Sequence, residues 1–295
     1  MKREVRCLMK LDHECIVKMI DFFYDDERYY LIEEYIAGGD LFEKLSKKRN
    51  YKEEDARILL KSLLVGVQYM HSKNIVHRDI KIENLLSIEK NGQVIAKIVD
   101  FGSATELPDN GRCLQQYERI GTLQYLAPEI IECRPYGKEV DMWAIGVLTY
   151  VILSGKFPYR STLTYENSRI TSEQLKLLDE KKIRNLISIS KFDYIPERTW
   201  NNISDKAKRF IASLLEKDQD KRLNADQALN HEWMIDPKTL DNEIPDSLAE
   251  ITNTFLKRKA TSVIVYYIFK FILTLKYRAQ KLIKKRKANE ISEEK

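Results

Sequence analysis

Apolar positions mark out the elements of this chain before composition is considered. Val5, Leu8 and Met9, followed by Leu11, recur at helical spacing, with Lys2, Arg3, Arg6 and Lys10 on the opposite face. The pattern predicts an amphipathic helix that begins at the first residue, with no capping residue and no loop leading in. IVKMIDFFY and YYLIEEYI then read as two strands around the polar turn Asp25-Asp26-Glu27-Arg28. Gly38-Gly39 breaks the chain. A long helix is predicted over about 53–71, with Ala56, Leu59, Leu60, Leu63, Leu64, Val67 and Met70 on one stripe. Two apolar runs joined through Asn91-Gly92 predict a hairpin. Positions 141–153 are apolar nearly all round, as in a helix buried within a core. Further helices fit 173–190, 204–216 and 224–230. Strands come first and helices dominate afterwards, with no internal repeat, so the expected class is α+β with a helical bulk.

Composition narrows this picture. A chain of 295 residues, 43% apolar and 32% charged, is globular rather than disordered. The cysteines Cys7, Cys15, Cys113 and Cys133 lack CxxC spacing, which points to neither a zinc site nor a disulfide framework but to a reducing compartment. No N-terminal segment has signal-peptide character. The net charge of +5 is unevenly spread: positions 257–287 hold eleven Lys or Arg and no acid, so the rest of the chain is net acidic. Such a tail suits anionic membrane, nucleic acid or an acidic protein.

The candidate chemistry lies in IVHRDIKIENLL, where Asp79, Lys81 and Asn84 fall within six positions between the long helix and the hairpin. Asp100-Phe101-Gly102 follows the hairpin, then Gly121-Thr122 and Ala127-Pro128-Glu129. Phosphoryl transfer needs these residue types. A carboxylate such as Asp79 can orient an attacking hydroxyl and take its proton. A cation such as Lys81 stabilises the transferring group, and the hard oxygens of Asn84 and Asp100 can hold Mg²⁺ on nucleotide phosphates.

In this order and at these separations the motifs resemble a eukaryotic protein kinase over roughly 1–236. The resemblance implies a bilobal fold, ATP and Mg²⁺ as cofactors and a protein substrate. It divides the chain into a truncated small lobe at 1–35, a helical large lobe at 36–236 and a basic regulatory tail at 237–295. Lys81, two residues after Asp79, resembles the Ser/Thr-specific loop. By the same resemblance Glu34 and Ile36 match the backbone groups that bond adenine, and Leu86 matches the floor under the ring. Glu129 would pair with Arg222, Asp141 would fix the catalytic loop, and Leu8, Met19, His77 and Phe101 would stack between the lobes. HECIV, GGDLFEKL, GTLQYLAPEI and ALNHEWM resemble the calcium/calmodulin-dependent group. There Asp40 and Glu83 would receive an arginine three residues before the target Ser or Thr. Asp40 as a helix cap is compatible with that role.

Several positions depart from the pattern. The first helix would carry Glu4, whose partner is a lysine on a preceding strand, yet these residues contain no GxGxxG and no VAIK-type lysine. The expectation is a truncated copy of an active-type kinase, weak or inactive as it stands, with Val5 and Leu8 left exposed. The alternative is a pseudokinase or a calmodulin- or membrane-binding scaffold. Ile82 replaces a customary proline, and Glu33 occupies the gatekeeper position, where a bulky apolar residue or Thr is usual. Positions 160–176 read as an inserted surface loop, and no stretch satisfies the EF-hand pattern.

The tail run 263–275 is shorter than the ~20 apolar residues a spanning helix needs. Three readings stay open for it: a calmodulin-type target helix with Ile264, Ile268 and Leu273 as anchors, a membrane-surface helix, or a helix docked on the large lobe. Calmodulin or anionic membrane are thus the candidate partners of 255–287, with no nucleic acid, and the chain is expected to be cytoplasmic with peripheral membrane attachment as an option. Two regulatory positions complete the reading. Glu118 would supply a fixed negative charge to the segment that Arg78 faces, and Thr261 in LKRKATS would be an autophosphorylation site.

Overall fold

A computed structural model describes residues 2–25, 28–46, 52–108, 120–160, 172–195 and 197–235 of the chain. Glu118, Thr261, the tail and most of the 160–176 segment lie outside the described residues. The class is α+β, as the residue pattern indicates.

The first helix, α1, runs Lys2–Leu8. Its apolar face departs from expectation. Val5 and Leu8 are buried, as are Cys7 and Leu11, while Met9 stands 72% exposed. The cover comes from far along the chain, because α1 packs on a 3-10 turn at Phe101–Ser103 and on the short strand that follows it. The segment after α1 is equally well tied. Val17 N–H donates to Ile98 O at 2.9 Å, and Ile98 N–H donates to Cys15 O at 2.8 Å.

Strands β1 (Met19–Tyr24) and β2 (Tyr29–Glu33) form an antiparallel pair, with Met19 opposite Glu33 and Phe23 stacked on Tyr30. β2 stops at Glu33, short of the Ile36 that the apolar run suggested. Gly38 lies where the chain crosses the later hairpin. A Cβ there would stand 1.8 Å from Ser87 O, so no other residue fits without moving the backbone. Asp40 then caps α2 (Leu41–Ser46), its Oδ1 accepting from Glu43 N–H at 3.1 Å.

Helix α3 (Glu53–Ser72) buries the whole expected stripe, each member at 1% exposure or less. Burial on that scale, about 1.5–3 kcal/mol per large aliphatic side chain, makes α3 the core element. After it come β3 (Ile75–Val76), β4 (Leu85–Lys90), β5 (Gln93–Ile98) and β6 (Thr105–Glu106). β4 and β5 pair through Asn91 and Gly92, whose φ values of 53° and 74° meet the demand of a tight hairpin turn for left-handed residues. β6 pairs with β3, which closes the loop between them into one unit with α1.

The remaining elements are helical: α4 (Pro128–Ile131), α5 (Glu139–Ser154), α6 (Ser172–Ser188), α7 (Glu197–Trp200), α8 (Asp205–Leu214), α9 (Ala225–Leu229) and α10 (Glu232–Ile235). α5 is buried on all sides, as its unbroken apolar pattern requires, and ends at Gly155 with φ 74°. α3 packs on α5, α9 and β5, and α5 packs on α8. Polar clamps fix these helices. Glu53, fully buried, accepts from Ser204 N–H, Ser204 Oγ and Trp233 Nε1 at 2.6–2.8 Å. Glu129 and Arg222, both fully buried, form a two-pronged pair at 2.6 and 3.0 Å, with the guanidinium 5.0 Å over the Trp143 ring. Among the described residues no helix is long and apolar enough to cross a membrane.

Removing one partner of a buried ion pair leaves the other charge uncompensated, at about 3–5 kcal/mol. Arg222→Met is therefore expected to lose that much stability in urea denaturation, with an unchanged m-value. A loss under about 1 kcal/mol would show that the pair does not hold α4 to the α8–α9 connection.

Candidate active site

The site is assembled on a loop, residues 77–84, between β3 and β4. A single buried carboxylate shapes that loop. Asp141, in the first turn of α5, accepts from His77 N–H at 2.9 Å and Arg78 N–H at 2.8 Å, and its Oδ2 lies 2.9 Å from His71 Nε2. Burial alone would raise its pKa. The bond and charge of His71, with His77 and its amide, outweigh burial and hold the carboxyl below the ordinary aspartate value. Arg78 is held at φ 67°, a conformation that L side chains adopt only when fixed from outside. Its guanidinium donates to Ser103 O at 2.7 Å and to the Tyr136 hydroxyl at 3.1 Å.

His77 is fully buried, and that burial lowers its pKa, so the ring is neutral. Its Nε2–H donates to Val99 O at 3.2 Å, while Nδ1 accepts from Asp79 N–H at 3.3 Å. The ring meets Phe101 edge-on at 4.9 Å. Thus the 101–103 turn packs both on the His77 ring, through Phe101, and on α1.

The carboxylate of Asp79 is fixed from two directions. Oδ2 accepts from Lys81 Nζ at 2.6 Å and Asn84 Nδ2 at 3.2 Å. Oδ1 accepts from Thr122 N–H at 3.1 Å and Thr122 Oγ1 at 3.2 Å. Lys81 also donates to Thr122 Oγ1 at 3.0 Å, which closes a ring of three side chains. Gly121 permits this approach. A Cβ there would lie 2.8 Å from Arg78 O, and its φ is 113°. Asn84 Nδ2 is further bound to Asp79 O at 2.9 Å, which leaves the amide Oδ1 as the face that can hold a cation. Such a constellation can accept a hydroxyl proton beside a positive charge.

Asp100 sits at φ 63°, is exposed, and accepts from Gly102 N–H at 3.2 Å. Two further carboxylates feel its charge. The Glu4 pKa is raised by burial, against the pull of the N-terminal ammonium, and also by Asp100; the Glu33 pKa is raised by partial burial, then by Glu4, Asp100 and Glu34. Among the described residues no group of three His, Cys, Asp or Glu side chains is placed to hold a metal ion. Asn84 and Asp100 fit Mg²⁺ on other grounds, because that ion uses one or two protein oxygens and completes its shell with phosphate and water.

The positions matched to base binding are also placed. Glu34 turns its side chain aside, accepting from Lys18 N–H at 2.7 Å and from Lys97 Nζ at 2.5 Å. Burial pushes its pKa up, but Lys97 and the Lys18 amide bring it below the usual value. Its N–H donates to Lys18 O at 3.0 Å, while Ile36 N–H donates to no described group. Half-buried Leu86 bridges to Asp40, and Glu83 is half-buried in a 3-10 turn at Ile82–Asn84. Sequence reasoning named Thr122 without a role and missed His71. The position of His71 in the last turn of α3 was the available signal, though its partner lies seventy residues away. A cleft of about 710 Å³ lies apart from Asp79, lined by Gln68, Tyr69, His71, Ser72, Glu139 and Asp226 among others.

A family model described as a protein kinase domain matches residues 1–234. Myosin light chain kinase A of Dictyostelium discoideum is 39% identical over 234 residues, 79% of this chain and 72% of that protein. A protein of the same organism named as a probable myosin light chain kinase is 37% identical over 249 residues, covering 82% of this chain. Another, named as the probable serine/threonine-protein kinase pXi, is 35% identical over 246 residues, covering 83%. The chain spans 58% of the length of the second relative and 31% of the third.

A depressed aspartate pKa stabilises the fold above its unfolded value, about 3.9, and that contribution is lost as pH falls through the lower folded value. The stability of the chain is therefore expected to fall on acidification below about pH 4. Asp141→Asn, already less stable at pH 7, is expected to show a shallower acid slope in thermal melts. Equal slopes would remove Asp141 as the source.

Proposed function

The chain belongs to the protein kinase family and carries a serine/threonine kinase domain, and we propose that it transfers the γ-phosphoryl group of ATP to Ser or Thr hydroxyls of protein substrates. The observation that carries this reading is the Asp79 carboxylate, gripped by Lys81, Asn84 and Thr122. Asp79 orients the attacking hydroxyl and takes its proton. Lys81 places positive charge beside the transferring phosphoryl. Asn84 and Asp100 are the residues that would hold Mg²⁺, which when bound neutralises charge on the phosphates. Glu34 C=O and Ile36 N–H bond the adenine edge, and Leu86 supports the ring.

The finer assignments belong to the same proposal. Residues 1–35 act as part of a small lobe, 36–236 as the catalytic lobe and 237–295 as a regulatory tail. Asp40 and Glu83 receive a basic side chain of the substrate, as in the calcium/calmodulin-dependent group, and calmodulin or anionic membrane engages 255–287. Glu118 and Thr261 act as regulatory positions. The second reading, a binding module without catalysis, has one observation in its favour. No Lys or Arg side chain among the described residues pairs with Glu4, on which the N-terminal ammonium acts instead. The 295 residues assayed alone are accordingly expected to turn over slowly.

The test is phosphate transfer to Ser and Thr peptides carrying arginine three residues upstream. Asp79→Asn is expected to lower kcat by about 10²–10⁴-fold, the usual contribution of a positioned base. Asp100→Ala is expected to raise the Mg²⁺ concentration needed for nucleotide binding. Transfer by the Asp79→Asn chain at the unaltered rate would count against the catalytic reading, and tight partner binding without transfer in either chain would favour the module.

A further inference from the structure

Glu33 is the last residue of β2, paired opposite Met19 and directly ahead of the Glu34–Ile36 segment. Glu33 is an exposed residue whose partly shielded carboxylate makes no hydrogen bond or ion pair among the described residues. The neighbouring carboxylate, Glu34, is committed to Lys97 and the Lys18 amide. Of two adjacent acids at the end of this strand, one is therefore locked away and the other is available. The charges of Glu4 and Asp100 both act on Glu33 and raise its pKa, so Asp100, one of the residues that would hold Mg²⁺, is within electrostatic reach of it. Like charges that crowd one region destabilise each other unless a donor arrives.

We propose that Glu33 is a base-selecting residue of the nucleotide site, its carboxylate accepting a hydrogen bond from the exocyclic amino group of adenine and rejecting guanine. The proposal rests on the reading above, in which Glu34 C=O and Ile36 N–H hold the base. An exocyclic amino group carries two N–H donors. One meets Glu34 C=O, and the second meets the Glu33 carboxylate. Guanine puts a carbonyl oxygen in that place, which would face two acceptors and find no donor. A site built around a substrate N–H discriminates strongly against an analogue lacking it, because its own polar groups are left unpaired. Solvent at Glu33 weakens the effect, so the expected discrimination is about tenfold, the low end for a hydrogen bond to a charged group.

The experiment is calorimetric titration of the 295-residue chain with the Mg²⁺ complexes of ATP, GTP and purine riboside triphosphate, which lacks a 6-substituent. Glu33→Gln is expected to shrink the ATP-over-GTP preference about tenfold, because the side-chain amide can donate to the guanine oxygen. Glu33→Ala is expected to weaken ATP while leaving purine riboside triphosphate unchanged. An unaltered ATP-to-GTP ratio in Glu33→Gln, with normal ATP binding, overturns the role of Glu33 and leaves the nucleotide site standing. Equal weakening of ATP and purine riboside triphosphate by Glu33→Ala also overturns it, since the amino group would then be irrelevant. Failure of the unmodified chain to bind any of the three nucleotides overturns both the role and the reading beneath it.

Discussion

Asp141 places a fully buried carboxylate in the first turn of α5, where two separate stretches of chain, the end of α3 and the 77–78 loop, converge on it. Taking an ionised group out of water is costly, and the cost is met only if its lone pairs are filled with good geometry. Here two backbone amides and an imidazole fill them, and the N-terminal end of a sixteen-residue helix adds a favourable field. The amides are those of His77 and Arg78. Their capture holds Arg78 at a positive φ, and that bend presents Asp79 to Lys81, Asn84 and Thr122. Without the clamp the strained residue would relax, and the ring of side chains would lose its common origin.

The other buried charges follow the same logic at different seams. Glu53 joins the start of α3 to Ser204 and Trp233, and Glu129 joins α4 to Arg222. In each case apolar burial brings the helices together, and a carboxylate with several donors sets their register. Non-directional burial cannot distinguish one rotation of α3 from another a few degrees away. A carboxylate that must satisfy three donors can.

The parts of this design legible in sequence are those written in local patterns. The stripe on α3, the left-handed pair Asn91-Gly92 and the Asp79, Lys81, Asn84 spacing all depend on neighbours a few residues apart. Features set by distant partners were not legible. Val5 and Leu8 are covered by the turn at 101–103, so local amphipathy could not reveal whether anything lay over them. The end of β2 at Glu33 reflects where pairing with β1 stops, although the apolar run continues to Ile36. His71 reads as one more polar residue at a helix end, because the carboxylate it meets lies in another helix. Gly38 reads as a simple breaker, yet its reason is the Ser87 carbonyl pressed against it.

These constraints leave the site with two unlike halves. On the loop side every acceptor of Asp79 already has its donors, so the proton-accepting group is held before any ligand arrives. Elsewhere in the site the charge of Asp100 raises the pKa of Glu4, those of Glu4 and Asp100 raise the pKa of Glu33, and no lysine or arginine among the described residues pairs with either glutamate. The first half is rigid because its charges are balanced within the fold. The second carries crowded negative charge that added positive charge or hydrogen-bond donors would relieve further, whether from a metal ion, a lysine side chain or the amino edge of a base. Asp79 is thus set before any ligand arrives, whereas the carboxylates of Glu4 and Glu33 stay crowded until positive charge or a hydrogen-bond donor reaches them.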